Sequence, residues 1–203
     1  MKRGFIGIGF LLIILLLTAC SNSKGYEGDY SYDIKEFEFT NQDGETVSKE
    51  DLEGDFWVAN FIFTNCTSAC PPMTNNMARL QTMVEEAGLE NQVRFVSFSI
   101  DPEYDSPKVL KDYANKFQAD FSNWDFLTGY EPETIKEFAL KSFKAPVEKL
   151  PLKDAPEGQP DYDFMHSSRM YIITPEGNAI KGYIGTDINN MEPLFEDLKG
   201  YIN

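Results

Sequence analysis

The sequence predicts an α/β sandwich, and three observations carry that expectation. Runs dense in aromatic and β-branched residues alternate with segments whose apolar residues recur at helical spacing. The last part of the chain reads as strand, tight turn, strand and closing helix. A pair of cysteines, Cys66 and Cys70, stands where the first long apolar run gives way to the first helical pattern. With 203 residues and 42% hydrophobic content, the chain is long enough for one domain with a substantial core.

The N-terminus is set apart from that domain. Lys2 and Arg3 precede an almost unbroken apolar stretch over residues 4–17. It is short for a membrane span and reads as the hydrophobic region of a secretory leader. It ends in Leu17-Thr18-Ala19-Cys20, which resembles the bacterial lipobox. The expectation is that residues 1–19 are removed and Cys20 is lipidated. Two or more acyl chains suffice for stable anchoring to the outer face of the cell membrane. Residues 20–33, rich in Ser and Gly, are expected to be the lipidated tether, with the folded domain over 34–203. Loss of Lys2 and Arg3 takes the net charge from -15 to -17. Such a surface repels nucleic acid, and no nucleic-acid partner is expected.

Within the domain the elements follow in order. Residues 37–40 alternate with charge and meet the turn signal Asn41-Gln42-Asp43-Gly44, which predicts a small N-terminal hairpin. A helical turn is expected over 48–52. "FWVANFIFT", residues 56–64, predicts a buried strand. Met73, Met77, Leu80, Val84 and Ala87 fall at helical spacing, and Gly88 marks the end. Pro71 and Pro72 are tolerated because they open this helix. "VRFVSFSI", residues 93–100, predicts a second strand, and Ser106-Pro107 a helix start. A short strand over 124–127 and a helix opened by Glu131-Pro132 come next. Residues 144–165 read as a long polar loop, a length that usually signals function or mobility. A hairpin over 169–184, turning at residues 175–178, and a helix over 191–202 close the domain.

Cysteine usage points to chemistry. With Cys20 assigned to the anchor, Cys66 and Cys70 remain. A bridge between residues so close constrains little of the unfolded chain, so its value as a staple is small. A cysteine pair at the end of the first central strand, entering a helix, is the thioredoxin arrangement, and the helix N-terminus favours a thiolate. His166, the chain's one histidine, precedes the strand of the closing hairpin. In a thioredoxin-like sheet the loop entering that hairpin lies beside the cysteine turn. Two thiolates and an imidazole suit zinc or copper, and soft sulfur favours copper. A structural zinc site would bring a fourth Cys or His, and the domain has none. Met73, Met77 and Met83 read as packing residues, Asp101 and Asp105 as turn residues, and Asp161 and Asp163 as loop-solvating charge.

Three stretches together, "FTNCTSACPPM", "SIDPEYDSP" and "DYDFMHSSRMYIITPEG", resemble the Sco/SenC proteins. The resemblance runs from about Asp33 to the end. It implies a thioredoxin-like fold with a central mixed sheet, and a membrane-anchored assembly factor for the dinuclear copper centre of cytochrome c oxidase subunit II. It further implies Cys66, Cys70 and His166 as ligands for copper, as Cu(II), Cu(I) or both, with the cysteines also redox-active. Where many relatives carry Asp directly before the histidine, this chain has Met165, with Asp163 two residues further back. A copper metallochaperone is the leading expectation. The alternative is a thiol-disulfide reductase that keeps the oxidase cysteines reduced and draws on an external thiol reductant. A general thioredoxin is disfavoured because three residues separate the cysteines, and because no proline stands in His166-Ser167-Ser168-Arg169.

Overall fold

A computed structural model describes residues 25–155 and 160–202. The expected leader and Cys20 lie outside the described residues. The domain is a mixed six-stranded sheet with helices on both faces, together with two small two-stranded ribbons. The strands are β1 (Tyr32–Asp33), β2 (Glu38–Thr40), β3 (Thr46–Ser48), β4 (Phe56–Ile62), β5 (Val93–Ser99), β6 (Trp124–Leu127), β7 (Glu148–Pro151), β8 (Tyr162–Met165), β9 (Arg169–Ile173) and β10 (Asn178–Ile184). The helices are α1 (Cys70–Glu86), α2 (Pro107–Lys116), α3 (Pro132–Phe143) and α4 (Met191–Ile202), with 3-10 turns at Glu50–Leu52 and Ile188–Asn190. Among the described residues no helix is long and apolar enough to cross a membrane.

The main sheet runs β1-β10-β9-β4-β5-β6. β4, β5 and β6 are parallel, and β9 is antiparallel to β4. All seven residues of β4 are buried, as expected of a central strand covered on both faces. On one face Trp57, Phe61 and Phe98 meet Phe37 from the N-terminal hairpin and Phe138 and Phe143 of α3. On the other face Phe56 stacks on Tyr201 of α4, and α1 packs against α4. Each such fully buried side chain contributes about 1.5–3 kcal/mol by leaving water, which makes β4 the rigid base on which the following turn is mounted.

Local signals explain the helix ends. Ser106 caps α2, its hydroxyl accepting from the Val109 N–H, and Pro107 follows at the first helical position. Lys144 ends α3 in the left-handed region at φ 54°.

Two expectations need correction. Residues 144–165 are not one open loop, because β7 and β8 pair antiparallel from Glu148–Met165 to Pro151–Tyr162. β7 is exposed at every residue and has no apolar alternation, so nothing in its sequence marks a strand. Its pairing is supplied from outside, by Phe164 packed on Phe63 at 5.1 Å between ring centres. The second correction concerns the stretch expected to be a tether. Its Tyr32 and Asp33 form the edge strand beside β10. Tyr26 packs on Phe56 and Tyr201, and Gly28 lies so close to β10 that a Cβ there would stand 2.5 Å from the Ile180 carbonyl oxygen. The small and polar composition hides a segment held by Tyr26, Tyr32 and one close backbone approach.

Candidate metal centre

β4 carries the chain into a tight turn over residues 63–69, and α1 begins at Cys70. The first N–H groups of a helix lack partners within it, so a group placed over that end receives them. Here the Cys70 N–H points to Cys66 Sγ at 3.3 Å. The Cys66 N–H closes the turn on the Phe63 carbonyl at 3.2 Å. Pro71 and Pro72 give up N–H groups that the first turn does not use. Cys66 is 7% exposed and Cys70 is wholly buried beneath it, and both thiols are free.

This arrangement polarises the pair. The thiol of Cys70 hydrogen-bonds Cys66 and draws its pKa well below the ordinary thiol range. His166 and the N–H groups of Cys70 and Ser68 add to the pull, against the opposing effect of burial. Cys70 moves the other way, because its hydrogen bond to Cys66, its burial and the nearby Cys66 charge all favour the protonated form. Charge therefore settles on the outer sulfur and the proton on the inner one.

β8 ends at Met165 and delivers His166 to the same place. Its Nε2 stands 3.8 Å from Cys70 Sγ. Its Nδ1 lies 2.9 Å from the Ser167 carbonyl oxygen, an acceptor only, so Nδ1 carries a proton and Nε2 is the ring nitrogen left to face the cysteines or a metal. The ring meets Phe63 edge-on at 5.9 Å. Metal–sulfur and metal–nitrogen bonds of about 2.3 and 2.0 Å, at tetrahedral to trigonal angles, put S and N roughly 3.5–3.7 Å apart. The Cys70–His166 edge thus already has nearly the span of two ligands on one ion. Cys66 lies beside this edge, its thiol in contact with both Cys70 and His166, so the three side chains face one another across the head of α1.

The structure thus brings together Cys66, Cys70 and His166. Met73 and Met77 are buried in the core, as helical packing predicts. Met165 is exposed, and Asp163 turns back onto the Phe164 N–H at 2.7 Å. A groove of about 710 Å³ between β2 and α3 shares no lining residue with the cysteine turn.

Turn chemistry at Asp101 and Asp105 is present, since the Tyr104 and Asp105 N–H groups donate to the Asp101 carbonyl. Their carboxylates do something the sequence reading missed. Asp105, fully buried, accepts from the Thr64 N–H at 3.2 Å, from the Thr64 hydroxyl at 2.5 Å and from the Ser99 hydroxyl at 2.6 Å. It anchors the cysteine turn to the end of β5. Asp101 accepts from the Tyr162 hydroxyl at 2.5 Å. The spacing Asp-Pro-x-x-Asp was the only signal available for either role.

Burial is the main cause that lifts the Asp105 carboxyl to about 6, against the pull of its Ser99 and Thr64 donors. A raised folded pKa means that the native state holds this proton to higher pH than the unfolded chain does. The contribution to stability is complete below the unfolded value near 4 and is lost as pH rises through about 6. Asp105→Asn is expected to flatten the stability profile between pH 4 and 6.5 by on the order of 2 to 3 kcal/mol relative to the parent chain. Urea unfolding of both chains across that range checks it, and parallel profiles would remove Asp105 as the source.

Comparisons with known proteins converge on one family. The model of the SCO1/SenC family matches residues 28–203. The SCO1 protein homolog of Bacillus subtilis (strain 168) is 44% identical over 188 residues, covering 93% of this chain and 92% of that protein. Among solved structures, BsSco is described as a member of the Sco family of cytochrome c oxidase assembly proteins with a disulfide switch. It superposes with a TM-score of 0.72 at 43% identity, over 86% of this chain and 95% of that one. ScoI of Bradyrhizobium japonicum, solved with copper bound, superposes with a TM-score of 0.67 at 26% identity, over 84% and 99%.

Proposed function

The chain belongs to the SCO1/SenC family, and from that premise we propose that it is an extracytoplasmic copper-binding assembly factor for cytochrome c oxidase. Its cargo is copper, held by Cys66, Cys70 and His166 and destined for the dinuclear centre of subunit II. The observation that carries this reading is the Cys70–His166 edge, with Nδ1 held by Ser167 and Nε2 left to face the cysteines or a metal. The donor set fits copper in either oxidation state, since thiolates favour Cu(I) and the imidazole suits Cu(II). The anchor is the lipidated Cys20, and mass spectrometry of the exported protein showing an unmodified Cys20 would remove it.

The polarised dithiol supports a second reading, reduction of the oxidase cysteines before they receive metal. In that role the Cys66 thiolate attacks one sulfur of the target disulfide and releases the other as a thiolate. Cys70 then gives up its proton and attacks Cys66 Sγ. The target leaves as a dithiol, and this chain keeps a Cys66–Cys70 disulfide. Two electrons and the Cys70 proton pass to the target, the second proton comes from water, and an external dithiol reductant restores the reduced pair.

A titration of the reduced chain with Cu(II), followed by visible absorption and EPR, separates the two. An intense sulfur-to-copper charge-transfer band that saturates at one ion per chain is the expected result. Fleeting colour that bleaches as the disulfide forms would overturn stable copper holding and put the reductase first.

A further inference from the structure

The metal centre is assembled from two pieces of chain, the turn over residues 63–70 and the β7–β8 ribbon that ends at His166. The loop over residues 100–106 sends one buried carboxylate to each. Asp105 goes to Thr64, two residues before Cys66. Asp101, 1% exposed, goes to Tyr162, four residues before His166 on β8. The ribbon is gripped at the same point from its other strand. The Lys149 ammonium lies 3.9 Å from the centre of the Tyr162 ring and 3.3 Å from the Glu103 carboxylate of the same acidic loop. Phe164 then seats on Phe63, and Phe63 touches the His166 ring.

We propose that the Tyr162–Asp101 hydrogen bond is a latch that fixes the β7–β8 ribbon over the cysteine turn and so sets how closely His166 approaches Cys70. Tyr162 and Asp101 are positioning residues, and the proposal rests on the reading of His166 as a ligand. A strand is a stiff lever at about 3.3 Å per residue, so a hold at Tyr162 governs the placement of a ring four residues on. Asp101 is buried and carries its charge towards a hydroxyl donor, which makes a short, directional bond. Tyr162→Phe keeps the ring against Phe164 and Lys149 and deletes the hydroxyl, which donates to Asp101 and also meets the Asn65 side chain.

The test uses the full reduced chain in detergent. Cu(II) affinity is measured by competition for the parent, Tyr162→Phe, His166→Ala and the double variant. Tyr162→Phe is expected to weaken binding about tenfold and shift the charge-transfer band, as loss of an outer-shell partner does. In the His166→Ala background the same change is expected to cost nothing further. An equal loss in both backgrounds, or no loss in either, would overturn the latch. Asp101→Ala is expected to match Tyr162→Phe, and Asp101→Asn, which keeps an acceptor oxygen, to retain most of the affinity. An Asp101→Asn chain as weak as Asp101→Ala would point to lost charge and overturn the hydrogen-bond account.

Amide hydrogen exchange on the metal-free chain reads the latch without copper. Tyr162→Phe is expected to speed exchange over residues 148–151 and 162–166 roughly tenfold and leave β4 and β5 unchanged. Unchanged exchange in the ribbon would overturn the latch. A parent chain that bound no Cu(II) would instead overturn the proposed function and leave the latch to be judged by exchange.

Discussion

Replacing Cys70 by Ser is expected to lower copper affinity by a hundred- to a thousandfold. Apparent binding free energies of four-ligand metal sites lie at about 10–16 kcal/mol, or roughly 2.5–4 kcal/mol per ligand, which is about that fold-change. The substitution is close in shape, and Cys70 is wholly buried at the start of α1, so the change falls on the sulfur and leaves the packing in place. Cys66→Ser is expected to act as strongly, because it removes the sulfur on which the negative charge settles. Either variant also ends formation of the Cys66–Cys70 disulfide, so titration with Cu(II) should show a weakened charge-transfer band that saturates only at higher copper and no intramolecular oxidation product. Thermal unfolding of the metal-free variants near the parent temperature would confirm that the fold is intact. Retention of a one-to-one site with parent affinity in Cys70→Ser would remove the inner thiol from the ligand set.

His166→Ala separates the two proposed roles of the thiols. It is expected to weaken Cu(II) binding by roughly a hundredfold or more, one ligand's share, while the two cysteines can still close a disulfide. It also removes one of the groups that hold the Cys66 pKa down, although the larger cause, the Cys70 thiol, remains. Thiolate reactivity towards a disulfide reagent should therefore fall only partly, while Cu(II) affinity falls steeply. Full copper affinity without the imidazole would sink the three-ligand model. Loss of disulfide chemistry along with copper would mean that the histidine serves the thiols and not the metal.

The parts of this protein that were legible in its sequence share one property, which is that neighbours in the chain determine them. The mostly apolar β4, the periodicity of α1, the Ser106 cap and the turn at residues 41–44 each depend on side chains within one or two turns of each other. The cysteine pair at the head of a helix is local in the same sense, and its electrostatics follow from where helix N–H groups point. His166 was legible because it is the chain's one histidine and stands at the entrance to a strand whose place in such a sheet is predictable.

By itself, then, the sequence determined the fold class, the order of the helices and of the central strands β4, β5, β6, β9 and β10, and which three side chains to suspect. Only the tertiary structure decided how they are held. Thr64 and Asp105 are 41 residues apart, and Tyr162 and Asp101 are 61 apart. No periodicity links them, and an aspartate in an Asp-Pro turn reads the same whether its carboxylate faces water or is buried against a hydroxyl. β7 shows the same limit, since an exposed Glu148–Pro151 segment has no reason to be a strand until Phe63, Phe164, Tyr162 and Asp101 hold its partner in place. Local propensity chooses the elements. Packing and buried hydrogen bonds between distant residues place His166 within reach of Cys70, because only folding brings a polar group far along the chain to a partner that would otherwise lie buried without one.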